Sequence, residues 1–198
     1  SETWGEDFLV PADAEVVIEA EISATEMKAE GPFGEWPGYL GPQRYEPVVH
    51  IKAITHQKPY IYHDTFIGHR DYSNIGWEID IHRRVDETLS GNVRGVYLPY
   101  SGRVGYHCYI SIKKTEGGEG EPKQAAFAAL MTEPENLTMV IVVDDDINVF
   151  NVAEVMWAVG TRFQADRDLT ILPNCSGPGG LNPAAWDYDV DGTGHPRM

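Results

Sequence analysis

Residues 29–41, AEGPFGEWPGYLG, combine two glutamates with glycines, prolines and bulky aromatic side chains, and we call this stretch the glutamate loop. Its glycines and prolines disfavour the interior of a helix and the centre of a sheet, so a loop of restricted conformation is predicted. Such a loop would hold Glu30 and Glu35 in place, and Phe33 and Trp36 could remove water from them. Two such carboxylates can divide the roles of acid and base. The alternative is a surface turn with solvated glutamates.

The composition indicates a globular protein that is neither a nucleic-acid-binding protein nor one that binds anionic membranes. The chain has 198 residues, 42% of them hydrophobic, and a formal net charge of −16. Nucleic acids and anionic lipids attract basic surfaces, so an acidic chain does not fit either partner. No apolar run approaches the roughly 18 residues of a membrane span. Cys108 and Cys175 form no disulfide framework, and a reducing, cytoplasmic location is predicted.

The order of the predicted elements indicates an α+β fold with two parts. Alternating apolar residues predict strands at 14–22, 46–57 and 59–67. A helical period predicts a helix at 74–89, where the rhythm of the sequence changes. The remaining predicted elements are strands at 93–100, 106–114, 136–146 and 168–174, and helices at 122–131 and 151–163. Alternation of strands and helices predicts a mainly parallel sheet in the second part, with 136–146 at its centre.

Beyond these patterns, the motif AEGPFGEWPGY resembles the signature loop of the UbiD-type decarboxylases, the prenylated-FMN-dependent (de)carboxylases. Further blocks resemble the same family in the same order and extend the resemblance over residues 8–198. They are VPADAEVVIEAEI, VVHIKAITHQKPYIYHD, VDDDINVFNVAEVMWAVGTRFQADRD and LPNCSGPGGLNPAA. The resemblance implies that residues 1–70 form part of a split β-barrel flavin-binding domain. It implies that residues 71–198 form an α/β domain for closure and oligomerisation.

The resemblance also implies an activity and its residues. The expected enzyme is a non-oxidative, reversible carboxy-lyase that acts on unsaturated, aromatic or heteroaromatic carboxylic acids through prenylated FMN. Glu35 would donate a proton to the carbon that lost CO2, and Glu30 would bridge to a catalytic arginine. Lys123 would approach the flavin phosphate, and the alternative is a solvated helix lysine. Leu181 would contact the substrate, and the alternative is a plain connecting loop.

Part of the family's active site is expected to lie outside this sequence. Family members are longer, and their catalytic arginine, much of the flavin-phosphate site and the metal ligands precede the glutamate loop. We therefore assign no metal ligand here and expect a divalent metal, Mn or Mg, and K+ to bind elsewhere.

Three explanations stay open for the missing part: a split enzyme whose second polypeptide supplies the N-terminal half, a truncated enzyme, or a stand-alone relative with altered or absent activity. A homo- or hetero-oligomer is expected. The alternative function is a non-catalytic assembly or regulatory subunit that keeps the fold.

Overall fold

A computed structural model of the chain describes residues 9–64, 75–103, 105–173, 175, 186–188 and 194–196. These residues divide into two compact units. The first contains the described residues up to Glu35 together with residues 40–64. The second contains Trp36–Tyr39 and the described residues from 75 onward. The predicted site residue Leu181 lies outside the described residues.

The first unit is built on one antiparallel pair of long strands, β1 (Val16–Glu30) and β2 (Arg44–His56). Their register is irregular between Ile22 and Met27, where β1 has extra residues that β2 lacks. The hydroxyl of Ser23 accepts the backbone N–H of Glu26 at 2.8 Å within this bulge. The strands predicted at 14–22 and 46–57 are confirmed.

The third strand predicted for this part is wrong over its described portion, because residues 59–64 are not in a strand. The described residues of the first unit show a two-stranded sheet and no closed barrel. The split barrel therefore stays a prediction.

The second unit contains a three-stranded sheet in the order β3 (Val93–Tyr97), β4 (His107–Ile112), β5 (Met139–Asp144). β4 pairs with β5 in parallel but with β3 in antiparallel fashion, so the expected mainly parallel sheet is wrong for these strands. The reason is the connection between β3 and β4, which is shorter than the dozen or so residues that a parallel crossover needs. The central described strand is β4 and not β5.

The helices of the second unit are α1 (Ile75–Leu89), α2 (Glu121–Thr132), α3 (Val152–Arg162) and the short α4 (Ala165–Asp168). The first three match the predicted helices. Asn151 caps α3, because its side-chain oxygen accepts the backbone N–H of Glu154 at 3.4 Å. None of the described helices is both long and apolar enough to cross a membrane.

Two further short strands, β6 (Trp186–Tyr188) and β7 (Gly194–Pro196), form an antiparallel pair. The strand predicted at 168–174 is absent from its described portion, where α4 ends at Asp168 and residues 169–173 are irregular.

The core of the second unit lies on both faces of β4, because successive strand residues point to opposite sides. On one face, Cys108, Ile110 and Ile112 pack in a cluster with buried side chains of α1 and α2, which are Ile81, Val85, Leu89, Ala125 and Ala129. On the other face, Tyr109 packs with Val155 of α3. Each fully buried aliphatic side chain contributes about 1.5–3 kcal/mol of transfer free energy, so burial on both faces stabilises this sheet.

Candidate active site

Glu30 occupies the end of the β ribbon in the first unit. It is the last residue of β1, it is exposed, and it pairs in register with Arg44 at the start of β2. Directly opposed residues of an antiparallel pair have Cβ atoms about 5 Å apart, so a carboxylate and a guanidinium lie on one face here. Just beyond, Gly31 has φ +80°, and its carbonyl accepts a hydrogen bond from the Gln43 side chain at 3.2 Å.

Glu35 lies in a small closed hairpin within the glutamate loop. Gly34 and Leu40 form an isolated antiparallel bridge, and the N–H of Gly41 donates to the carbonyl of Phe33 at 2.9 Å. The Glu35 side chain is half-buried and lies against Gly41, where an added Cβ would come within 3.1 Å of its Cγ and 3.2 Å of Oε1. Gly41 therefore provides the space in which the Glu35 carboxylate lies, and the hairpin restricts its position.

The exclusion of water from Glu30 and Glu35 by Phe33 and Trp36 stays a prediction. Phe33 is 43% exposed, and Glu30 is exposed. Trp36 is half-buried, and its ring packs on Tyr106 with centroids 4.8 Å apart and an interplanar angle of 47°. Trp36 thus contacts the second unit's own side chains, and Glu35 is the better shielded of the two carboxylates.

Tyr106, which packs on Trp36, and the next residue, His107, each have a buried polar atom that sequence reasoning missed. The Tyr106 hydroxyl and His107 Nδ1 are buried, and neither has a hydrogen-bond partner within the described ranges. Burial, with a smaller effect of Tyr39, raises the pKa of Tyr106 to about 12. Burial also lowers the pKa of His107. Both effects favour uncharged side chains. The glycines Gly102 and Gly105 beside them were the available sequence signal of close packing.

Lys123 lies in the first turn of α2, where its side chain is exposed. Its neighbour Asp168 has a pKa lowered to about 2, chiefly by a hydrogen bond from Arg167, with Lys123 adding a minor electrostatic contribution. A lysine beside the N–H groups of a helix start suits an anionic group such as a phosphate. Lys123 belongs to the second unit, whereas Glu30 and Glu35 belong to the first. No group of three or more His, Cys, Asp or Glu side chains that could hold a metal occurs among the described residues.

Two family models match the chain. The Rift-related domain of 3-octaprenyl-4-hydroxybenzoate carboxy-lyase matches residues 2–70. The C-terminal domain of the same carboxy-lyase matches residues 75–184. Phenolic acid decarboxylase of Bacillus subtilis (strain 168) is 33% identical over 178 residues, which are 86% of this chain and 37% of the relative.

Solved structures of two relatives have a similar fold. The UbiD-class enzyme HmfF of Pelotomaculum thermopropionicum, in complex with FMN, has a TM-score of 0.82 and 39% identity over 96% of this chain and 42% of HmfF. An evolved dimeric form of HmfF was solved in complex with prFMN. Vanillic acid decarboxylase (ShVdcCD) of Sedimentibacter hydroxybenzoicus, in closed form, has a TM-score of 0.73 and 31% identity over 100% of this chain and 41% of the relative. The chain therefore spans about two fifths of the length of these relatives.

Proposed function

The chain belongs to the family of UbiD-type carboxy-lyases, and from this premise we propose that it is part of a prenylated-FMN-dependent decarboxylase. The proposed reaction is non-oxidative and reversible, and its substrates are unsaturated, aromatic or heteroaromatic carboxylic acids. The observation that carries the proposal is the closed hairpin that places the half-buried Glu35 carboxylate against Gly41. The relatives named as phenolic acid and vanillic acid decarboxylases support this class of reaction.

Glu35 is proposed to manage the single proton of the reaction. When CO2 leaves, the electron pair of the broken C–C bond must be stabilised until one proton forms the new C–H bond at that carbon. Glu35 supplies that proton as a general acid and is reprotonated from solvent, which its partial exposure allows. In the carboxylation direction Glu35 takes the same proton as a base. A well-placed general acid contributes about 10²–10⁴ in rate.

Glu30 is proposed to position this acid and not to transfer the proton itself. It ends β1, and Arg44 is its register partner, so the ribbon fixes the direction in which the loop leaves the sheet. The catalytic arginine to which Glu30 would bridge is proposed to come from the part of the relatives that this sequence does not match. Residues 1–70 would contribute to the cofactor and catalytic domain, and residues 71–198 would form the α/β domain of closure and oligomerisation.

Prenylated FMN, when bound, would supply the electron sink for the carbon that loses CO2. Lys123 fits the cofactor's phosphate, because an exposed ammonium group and a helix start both favour an anion. Leu181 is proposed to contact the substrate. The ligands of the divalent metal and K+ are proposed to lie elsewhere. The HmfF structures with FMN and prFMN support the cofactor assignment.

The remaining part of the catalytic unit would come from a longer form of this chain or from a second polypeptide. One ShVdcCD structure contains a truncated ShVdcD component, so a relative can have a second component, but the ShVdcCD chain that matches this one is itself more than twice as long. Native mass spectrometry of the protein purified from its source, with an absorbance spectrum, separates the two cases. A single longer chain with a flavin would reject the second polypeptide.

The activity itself is tested with the purified holo-protein, loaded with either prenylated FMN or ordinary FMN. A panel of unsaturated, aromatic and heteroaromatic acids is supplied in D2O, and CO2 and product mass are measured. We expect at least one acid to release CO2 when the protein is loaded with prenylated FMN but not when it is loaded with ordinary FMN. The product should carry one deuterium at the reacting carbon. Absence of CO2 from the panel, with the cofactor spectrum intact, would favour the non-catalytic subunit.

A further inference from the structure

The geometry assigns Tyr106 as a positioning residue for Glu35, acting through the packing of its ring on Trp36. The inference rests on the proposed function, because it gives Glu35 its catalytic importance. Trp36 is peptide-bonded to Glu35, so whatever fixes the Trp36 side chain and backbone also limits where the Glu35 backbone can lie.

The Trp36 indole packs against Tyr106 and Gly105 of the second unit, and we call these contacts the Trp36 seat. Its ring packs on Tyr106 at 4.8 Å between centroids. Gly105 lies against the same indole, since an added Cβ there would come within 3.2 Å of Trp36 Cη2 and 3.1 Å of Trp77 Cζ3. A side chain larger than hydrogen at position 105 would push into both indoles, so the glycine permits this close approach.

Tyr106 is itself fixed by backbone hydrogen bonds. Its N–H donates to the carbonyl of Gly102 at 2.9 Å. Its carbonyl accepts the N–H groups of Thr138 and Met139 at 2.9 and 3.0 Å, and the Thr138 hydroxyl at 3.1 Å. These bonds connect Tyr106 to the start of β5, and the next residue, His107, begins β4. The backbone that carries the ring packed on Trp36 is therefore hydrogen-bonded to the start of β5.

A second contact holds the far end of the same turn. Gly38 has φ +88°, and a Cβ added there would overlap the Arg103 guanidinium. Pro37, between the two contacts, is buried. Trp36 and Gly38 thus both lie against other side chains of the second unit.

The hydroxyl of Tyr106 allows a positioning role of the ring to be distinguished from a chemical role of the hydroxyl. It is buried without a hydrogen-bond partner among the described residues, so the ring, and not the hydroxyl, makes the contact with Trp36. Phenylalanine keeps the ring and removes an unsatisfied polar group, which is neutral or favourable in a buried site. Alanine removes the ring and leaves the Trp36 indole without its support.

The test compares Tyr106→Phe, Tyr106→Ala, Glu35→Gln and the double variant Tyr106→Ala/Glu35→Gln in the holo-protein loaded with prenylated FMN. We expect Tyr106→Phe to keep kcat within about twofold. Tyr106→Ala should lower kcat about 10- to 100-fold with little change in KM, because small misplacements of a catalytic group cost that much. The double variant should be no slower than Glu35→Gln, since both changes then act on one proton transfer.

Hydrogen–deuterium exchange of the peptide 29–41 gives a readout that does not depend on activity. Exchange should be faster in Tyr106→Ala and unchanged in Tyr106→Phe. Gly105→Ala provides a second route that keeps the Tyr106 side chain, since the added methyl would lie 3.2 Å from Trp36 Cη2 and 3.1 Å from Trp77 Cζ3. Like Tyr106→Ala, it should speed exchange and lower kcat.

Unchanged kcat and exchange in both Tyr106→Ala and Gly105→Ala would overturn the inference, and so would a double variant whose losses multiply. Wild-type turnover in Glu35→Gln would instead overturn the proposed acid role of Glu35 and, with it, the catalytic meaning of the seat. In that case faster exchange in Tyr106→Ala would still show that Tyr106 holds the loop, so the two failures are distinguishable.

Discussion

Replacing Gly38 by alanine is expected to destabilise the turn that follows Glu35, through the backbone and through Arg103. Gly38 has φ +88°, and an L-residue in the left-handed region costs about 1–2 kcal/mol. The added methyl would also overlap the Arg103 guanidinium, which must then move away. Gly34, in the same loop, is the matched control, because an added Cβ there meets nothing within 4 Å and no positive φ is imposed.

The assay is urea unfolding of the wild type and the two variants, followed by tryptophan fluorescence and compared at equal m-values. Gly34→Ala should lie within about 1 kcal/mol of the wild type. Gly38→Ala should be about 1–2 kcal/mol less stable than Gly34→Ala, and this backbone part of the loss should persist when Arg103 is also replaced by alanine. Equal stability of Gly38→Ala and Gly34→Ala would refute the left-handed, Arg103-covered turn.

Three other results are expected. Burial lowers the pKa of His107 in the folded protein. Below about pH 6.5 the unfolded chain therefore binds more protons than the folded one, and the free energy of unfolding should fall as pH decreases. The fall in Tm between pH 8 and 5.5 should be smaller in His107→Gln and unchanged in His82→Gln, which replaces an exposed histidine. Ile110→Ala should cost about 2–5 kcal/mol in urea unfolding because Ile110 is fully buried, whereas Ile79→Ala at a 64% exposed position should cost under about 1 kcal/mol; similar losses would contradict the core assignment. Lys123→Gln should weaken retention of prenylated FMN about tenfold, as one lost charge-assisted contact does, and unchanged retention in equilibrium dialysis would remove Lys123 from the phosphate site.

The helices of the second unit could be predicted because their apolar period is local information. The antiparallel direction of β3, and the absence of strands at 59–64 and 169–173, could not be predicted from such local patterns. Residues 59–64 and 169–173 carry apolar and β-branched residues, yet strand formation depends on a pairing partner, which a propensity does not supply. The opposite error occurs in β1, whose second half is polar and lacks alternation but pairs with the start of β2.

The candidate site divides in the same manner. Glycine and proline spacing was enough to predict that Glu30 and Glu35 lie on a constrained loop. The seat of Trp36 on Tyr106 joins residues far apart in the sequence, and no local pattern specifies such a contact. The role of Gly41 could not be predicted either. Gly41 leaves space for the Glu35 side chain, and this close approach exists only in the folded hairpin.

The most direct test of the proposed function is the rate of CO2 release by the prenylated-FMN-loaded protein with Glu35→Gln, beside Glu116→Gln as a control at an exposed glutamate. Glutamine keeps the shape of the side chain but donates no acidic proton. We predict a fall in kcat of about 10²–10⁴ for Glu35→Gln, with cofactor binding unchanged, and wild-type turnover for Glu116→Gln. Wild-type turnover in Glu35→Gln would contradict the role of Glu35 as the proton donor.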